Sequence, residues 1–153
     1  MIRQEEDGLW LELTETIRAH HEEIFGALST ATGLTQWYPV AAKVDARPGG
    51  TIVFGWDGEF SRKTTVAVLE YDAGGTITWD WHPGVADMHA PIYWSVEPSV
   101  EDGCKVTFRQ GPFRDDRDAL LTLGNEASTW RWHMCNMRSV FEARHDMRKV
   151  RPI

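Results

Sequence analysis

From Ala41 to Gly111 the chain is cut into short runs by turn residues, and this restricts its folding more than any other feature. The breaks are Pro48-Gly49-Gly50, Asp57-Gly58, Ala73-Gly74-Gly75, the Pro83-Gly84 loop and Glu101-Asp102-Gly103. Glycine reaches positive φ without steric cost, so each break can reverse a strand. Connections this short join antiparallel neighbours into a meander and leave no room for βαβ crossovers. Alternation then assigns faces: Ile52, Phe54 and Trp56; Ile77, Trp79 and Trp81; Ile92, Trp94 and Val96; and Val106, Phe108 and Gln110 point inward. Thr76, Thr78, Asp80 and His82 fall on a solvated outer face. Between Arg62 and Tyr71, Val66 and Val68 compete with Ala67, Leu69 and Tyr71 for the inner side, and alternation does not decide between them.

Two other segments flank the meander. Leu11, Leu13, Glu15 and Ile17 alternate with Trp10, Glu12, Thr14 and Thr16, as in a strand with one largely apolar face. After Ala19 the period changes, and Ile24, Phe25, Ala27 and Leu28 recur at helical spacing, with Gly33 as a break before Leu34 and Trp37 and Pro39 closing the unit. At the other end, Leu123, Ala127, Trp130, Met134, Met137 and Phe141 form one apolar stripe on a helix predicted from about Asn125 to Lys149. Such a helix, roughly 36 Å long at 1.5 Å per residue, can lie along a whole sheet. Arg131, Arg138, Glu142 and His145 fall off the stripe. The acidic first residues and the basic Arg148-Lys149-Val150-Arg151 read as frayed ends.

These segments carry a resemblance. Ile17, Ala19, Glu23, Ile24, Phe25, Ala27, Leu28, Leu34 and Trp37, followed by Gly49-Gly50, Trp79-Asp80-Trp81 and then Trp130, Met134, Met137 and Phe141, resemble the START/Bet v-like SRPBCC superfamily and, within it, the Hsp-90 ATPase activator homologue-like branch. The order of these motifs spans nearly the whole chain. His20, Thr129 and Cys104 depart from the pattern, where Pro, Gly and Thr are common. The resemblance implies an α+β helix-grip fold: a curved antiparallel sheet wrapped around a long C-terminal helix, with two short helices after the first strand. It also implies a stress-response setting and a chaperone as one conceivable partner.

A chain of 153 residues fits a single domain spanning 1–153 and can bury a core without disulfides or metal. With 16 basic against 23 acidic residues and a net charge of −7, phosphate-backbone binding is disfavoured, so nucleic acid is not an expected partner. The beginning, MIRQEEDGLW, lacks an apolar h-region, and no run reaches the ~20 apolar residues needed to span a bilayer. The expectation is a soluble cytoplasmic protein with no membrane insertion. Cys104 and Cys135 have neither CxxC spacing nor a nearby His pair and read as small buried or half-buried side chains.

Eight Trp in so short a chain are an excess. Indoles offer broad apolar surface and one N–H each, which suits a flat, sparingly polar guest. The expected ligand-binding residues are Trp37, Phe54, Trp56, Trp79, Trp81, Trp94, Phe108, Gln110, Trp130, Met134 and Met137, around a cavity between sheet and C-terminal helix. A second reading stays open, in which the same rings fill the core.

Catalytic signals are sparse. His82, Asp87 and His89 are close in sequence, but beside Pro83 and Gly84 they read as a solvated loop, and no metal site is assigned. His20-His21 reads as a surface pair. His133 is placed at the helix flank and Glu59 near a turn; no nucleophile constellation or phosphate-cradling loop is present, and no catalytic residue or cofactor is assigned. Three functions follow: binding of a small hydrophobic or aromatic molecule; a polyketide cyclase or dehydratase with His133 and Glu59 as acid-base groups; and a chaperone-interacting module working through an exposed face.

Overall fold

A computed structural model describes residues 1–84, 88–99 and 103–150. Strands β1 (Ile2–Glu5), β2 (Gly8–Ile17), β3 (Ala41–Val44), β4 (Thr51–Gly55), β5 (Lys63–Asp72), β6 (Thr76–Trp79), β7 (Ile92–Ser99) and β8 (Gly103–Phe113) form one eight-stranded sheet in the order β1-β2-β8-β7-β6-β5-β4-β3. Every pairing is antiparallel. Helices α1 (His21–Ser29) and α2 (Ala31–Leu34) follow β2, and α3 (Arg117–Ala143) follows β8. The meander, the two short helices and the long C-terminal helix expected from the sequence are all present. Asp87, the Glu101-Asp102 turn and Arg151 lie outside the described residues.

The inner face matches the alternation. Ile52, Phe54, Ile77, Trp79, Ile92, Trp94, Val96, Val106, Phe108 and Gln110 are buried, while Trp56 and Trp81 are half-buried. Leu123, Trp130, Met134 and Met137 of α3 pack into the same core, with Ala127 and Phe141 half-buried at its margin. Removing ~150–250 Å² of aromatic side chain from water contributes roughly 4–6 kcal/mol per ring. That is why four fully buried Trp, at 37, 79, 94 and 130, dominate the core.

Several expectations are corrected. The first residues are not frayed: Ile2–Glu5 pair with Leu11–Gly8 as an exposed edge strand. In β5 both candidate faces are used, because the register shifts between Val68 and Glu70: Val66 and Val68 are buried, Leu69 is exposed, and Tyr71 packs against Phe25. A bulge reverses the alternation within one strand, which explains why the pattern there was ambiguous. Thr78 is buried, flanked by Tyr93 on β7, so the outer face is not uniformly solvated. Trp10 is also covered on that side, by Tyr93 and by the Arg109 guanidinium 4.5 Å from its ring centroid.

Gly33 is not a break but lies within α2, where a Cβ would land on the Gly26 carbonyl, so the close approach of α1 and α2 requires its small size. Helix α3 begins and ends earlier than predicted. Asp116 caps it by accepting from Ala119 N–H, and Arg144 terminates it in the left-handed conformation at φ 53°. Cys104 is buried and Cys135 is exposed. His20 is exposed, whereas His21 Nε2 lies 2.8 Å from the Val96 carbonyl and ties α1 to β7.

Beyond α3 the chain doubles back as one 3-10 turn, Met147–Lys149, and Arg148 is firmly held rather than frayed. Its Nη1 donates to the carbonyls of Tyr38 and Pro39, and its Nη2 to that of Thr35 and to Asp146. Asn136, buried on α3, donates to Trp37 O and Asp146 Oδ1 and accepts from Met147 N–H.

Candidate functional site

The chain from Thr35 to Val40, the β4–β5 hairpin, the middle of α3 and the C-terminal turn meet around an open cleft of about 760 Å³. Tyr38 and Trp56 give it aromatic walls, with ring centroids 5.3 Å apart and a T-shaped arrangement. Thr129 and His133 line it from α3, and Thr35 and Val40 from the segment after α2. Arg62, Lys149 and the Arg148–Asp146 pair make its rim basic. Arg148 holds the Asp146 carboxyl at about 2, chiefly through their hydrogen bonds.

His133 does not sit at the helix flank. It is only 4% exposed, its ring lies 4.7 Å from that of Tyr38, and Nδ1 is buried with no partner among the described residues. Desolvation, reinforced by the nearby Arg148 charge, pushes its pKa down to about 4, so the ring is neutral at pH 7. Burial, together with the Glu126 charge, pushes the Tyr38 phenol up, so it too is neutral.

Behind Tyr38 lies the expected aromatic set, converging on Trp130. Its ring is within 6.2 Å of Tyr38, Trp79, Trp81, Trp94 and Phe108 in tilted or edge-on geometry. Trp37 and Phe54 extend the cluster through Trp94 and Trp79. Met134 and Met137 are fully buried in the same core. Of the eleven residues expected to meet a ligand, Trp56 lines the cleft; Trp37, Phe54, Trp79, Trp94, Phe108, Gln110, Trp130, Met134 and Met137 are buried behind it, and Trp81 is half-buried.

Polar groups are threaded through this core. Trp37 Nε1 donates to Ala27 O at 2.7 Å and Trp56 Nε1 to Thr64 Oγ1 at 3.0 Å. Glu126 Oε2 accepts from both Gln110 Nε2 at 2.9 Å and Trp130 Nε1 at 3.0 Å. Desolvation raises the Glu126 pKa, with the two hydrogen bonds opposing. Trp79 Nε1, Trp94 Nε1 and Gln110 Oε1 are buried without a partner among the described residues.

Sequence reasoning missed Tyr38, Glu126 and the clamp formed by the C-terminal turn. Glu126 had a usable signal, since it precedes Trp130 by four residues and so shares its helix face. The tail offered none, because its partners are backbone carbonyls more than 100 residues away. Glu59 lies exposed in its turn. The carboxylate beside His82 and His89 is Asp80.

An eight-stranded antiparallel sheet with a long C-terminal helix packed on it, short helices after β2 and an aromatic cleft beside that helix define an α+β protein of helix-grip type. The family model described as "Activator of Hsp90 ATPase homolog 1-like protein" matches residues 18–142. The chain belongs to this family, within the SRPBCC superfamily. Similar solved structures include the Aha1 dimer from Colwellia psychrerythraea, at 21% identity and TM-score 0.71 over 87% of this chain and 96% of that one. Protein SSP2350 from Staphylococcus saprophyticus is 17% identical, with TM-score 0.71 over 86% and 90%. PFC0360w, an HSP90 activator from Plasmodium falciparum, is 18% identical, with TM-score 0.66 over 87% and 96%. At these identities the likeness establishes the fold. Comparison with curated proteins finds no match. No helix among the described residues is long and apolar enough to cross a membrane.

Proposed function

We propose that this protein binds a small aromatic or hydrophobic molecule in the cleft walled by Tyr38 and Trp56 and floored by His133. The observation that carries this reading is a cleft of about 760 Å³ that combines two aromatic walls with the buried Nδ1 of His133, which has no partner among the described residues. That volume lies within the range of small-molecule sites, and a few polar groups in an apolar wall are what orient such ligands. The basic rim favours a guest bearing an anionic group, which would face Arg62 and Lys149 while its ring stacks inside. Behind the cleft, Trp79 Nε1, Trp94 Nε1 and Gln110 Oε1 are buried without a partner among the described residues, which leaves polar atoms of the core open to a polar group of a guest.

The same geometry weighs against acid-base catalysis at His133. A group with a pKa near 4 is a weak base at pH 7, some three decades from the match that efficient proton transfer favours. Glu59 is exposed in its turn.

Isothermal titration of the full chain with naphthoate tests the proposal. Saturable binding that weakens at least about tenfold in Trp56→Ala, and more mildly in Arg62→Ala, is expected. No binding to naphthoate or to uncharged naphthalene methanol would overturn it and shift weight to a chaperone-facing role for the exposed surface.

A further inference from the structure

We propose that Asp80, His82 and His89 form a site for a divalent first-row transition cation of the zinc type, on the outer side of the β6–β7 connection. Trp79 pairs with Ile92, and the ladder runs past the end of β6, because Ala90 N–H donates to Trp81 O at 3.0 Å. The next opposed pair is His82 and His89, whose ring centroids are 4.0 Å apart. Asp80, two residues before His82, is fixed to the neighbouring strand by its own N–H, which donates to Ala67 O at 2.9 Å. The sheet therefore brings the three side chains together, and a flexible loop is not needed to do so.

The donor geometry is close to what a metal requires. Asp80 Oδ1 lies 3.4 Å from His89 Nδ1, and Asp80 Oδ2 lies 3.6 Å from His82 Nε2. One ligand atom from each residue falls within 4.8 Å of the other two. Zinc–donor bonds of about 2.0 Å in a tetrahedron place donors roughly 3.3 Å apart; each imidazole is near that distance from a different oxygen of Asp80, so the carboxylate bridges the two rings and closes on a metal through one oxygen or both. The two imidazoles, with ring centroids 4.0 Å apart and both exposed, have room to turn their nitrogens toward a shared ion. Two imidazoles and one carboxylate select zinc, copper, nickel or ferrous iron over magnesium or calcium, which prefer all-oxygen shells.

As plain ion pairs these contacts would stabilise little, since both imidazoles are more than half exposed, at 52% and 63%. A three-ligand site on an accessible surface leaves coordination positions for water or for a donor from another molecule. The site lies beyond Trp81, apart from the residues that line the aromatic cleft.

The test is isothermal titration of the full chain with zinc chloride, using His82→Ala, His89→Ala and Asp80→Asn, with Cys135→Ser as the control for the exposed thiol. Expected are one zinc per chain, at least about tenfold weaker binding in each histidine variant, and no change in Cys135→Ser. Because the altered residues are at the surface, thermal melts of the metal-free variants should match the parent, showing that any loss is one of ligation. Absence of zinc binding, or binding that survives both histidine substitutions, would overturn the proposal.

Discussion

Trp130 Nε1 donates to Glu126 Oε2 one helical turn earlier, at 3.0 Å, and the same oxygen accepts from Gln110 Nε2 on the sheet at 2.9 Å. A single carboxylate oxygen thus joins the helix to the sheet at the centre of the aromatic cluster.

This geometry sets two substitutions apart. Glu126→Ala leaves the buried Trp130 indole N–H without an acceptor and the Gln110 amide with only its 3.3 Å bond to the Ala90 carbonyl, and is expected to cost about 1–3 kcal/mol. Glu126→Gln keeps one acceptor oxygen and removes a carboxylate that folding desolvates, so stability at pH 7 should be unchanged or higher. Urea unfolding of the two variants beside the parent checks both outcomes.

The pH dependence of stability should carry the signature of His133. Its pKa falls from 6.5 in the unfolded chain to about 4 in the folded one, so between these values the unfolded state binds more protons. The contribution is fully present above about 6.5 and is lost as pH drops toward 4, amounting to something on the order of 3 kcal/mol. Glu126 acts in the opposite sense, because its raised pKa means that folding favours its protonated form. His133→Asn should therefore flatten the slope of unfolding free energy between pH 6.5 and 4 relative to the parent, as read by urea titrations at several pH values.

Arg148 holds the rim of the cleft. Its fork spans three backbone carbonyls and the Asp146 carboxylate, a geometry an ammonium cannot reproduce. Arg148→Lys is expected to destabilise by about 2–3 kcal/mol and to raise amide exchange in residues 144–150, with the strands of the sheet retaining their protection. Hydrogen-exchange measurements distinguish this local release from global loosening.

The architecture was legible because its signals are local and periodic. Alternation through Ile77, Trp79, Ile92 and Trp94, and the stripe from Leu123 to Phe141, each report which face is buried without knowledge of partners. Alternation failed where a bulge broke the period, at Val68–Glu70, and at Thr78, which Tyr93 flanks across the sheet. The site was less legible. An inward face does not reveal which inward rings meet a cavity and which meet one another, since that depends on packed volumes. His133 is misplaced by sequence because Tyr38 comes from a distant segment and Arg148 from a turn that folds back, and the histidine pair reads as a loop because Pro83 and Gly84 follow His82 and Asp87, not Asp80, is taken as its carboxylate.

The most direct test of the cleft reading follows the eight indole N–H resonances by two-dimensional NMR while naphthoate is added. If the cleft is the binding site, the Trp56 indole signal should shift saturably together with backbone amides near Tyr38, His133 and Arg148, while that of Trp10, on the opposite face of the sheet, stays in place. Saturating shifts confined to residues remote from the cleft, or no shifts at any naphthoate concentration, would contradict it.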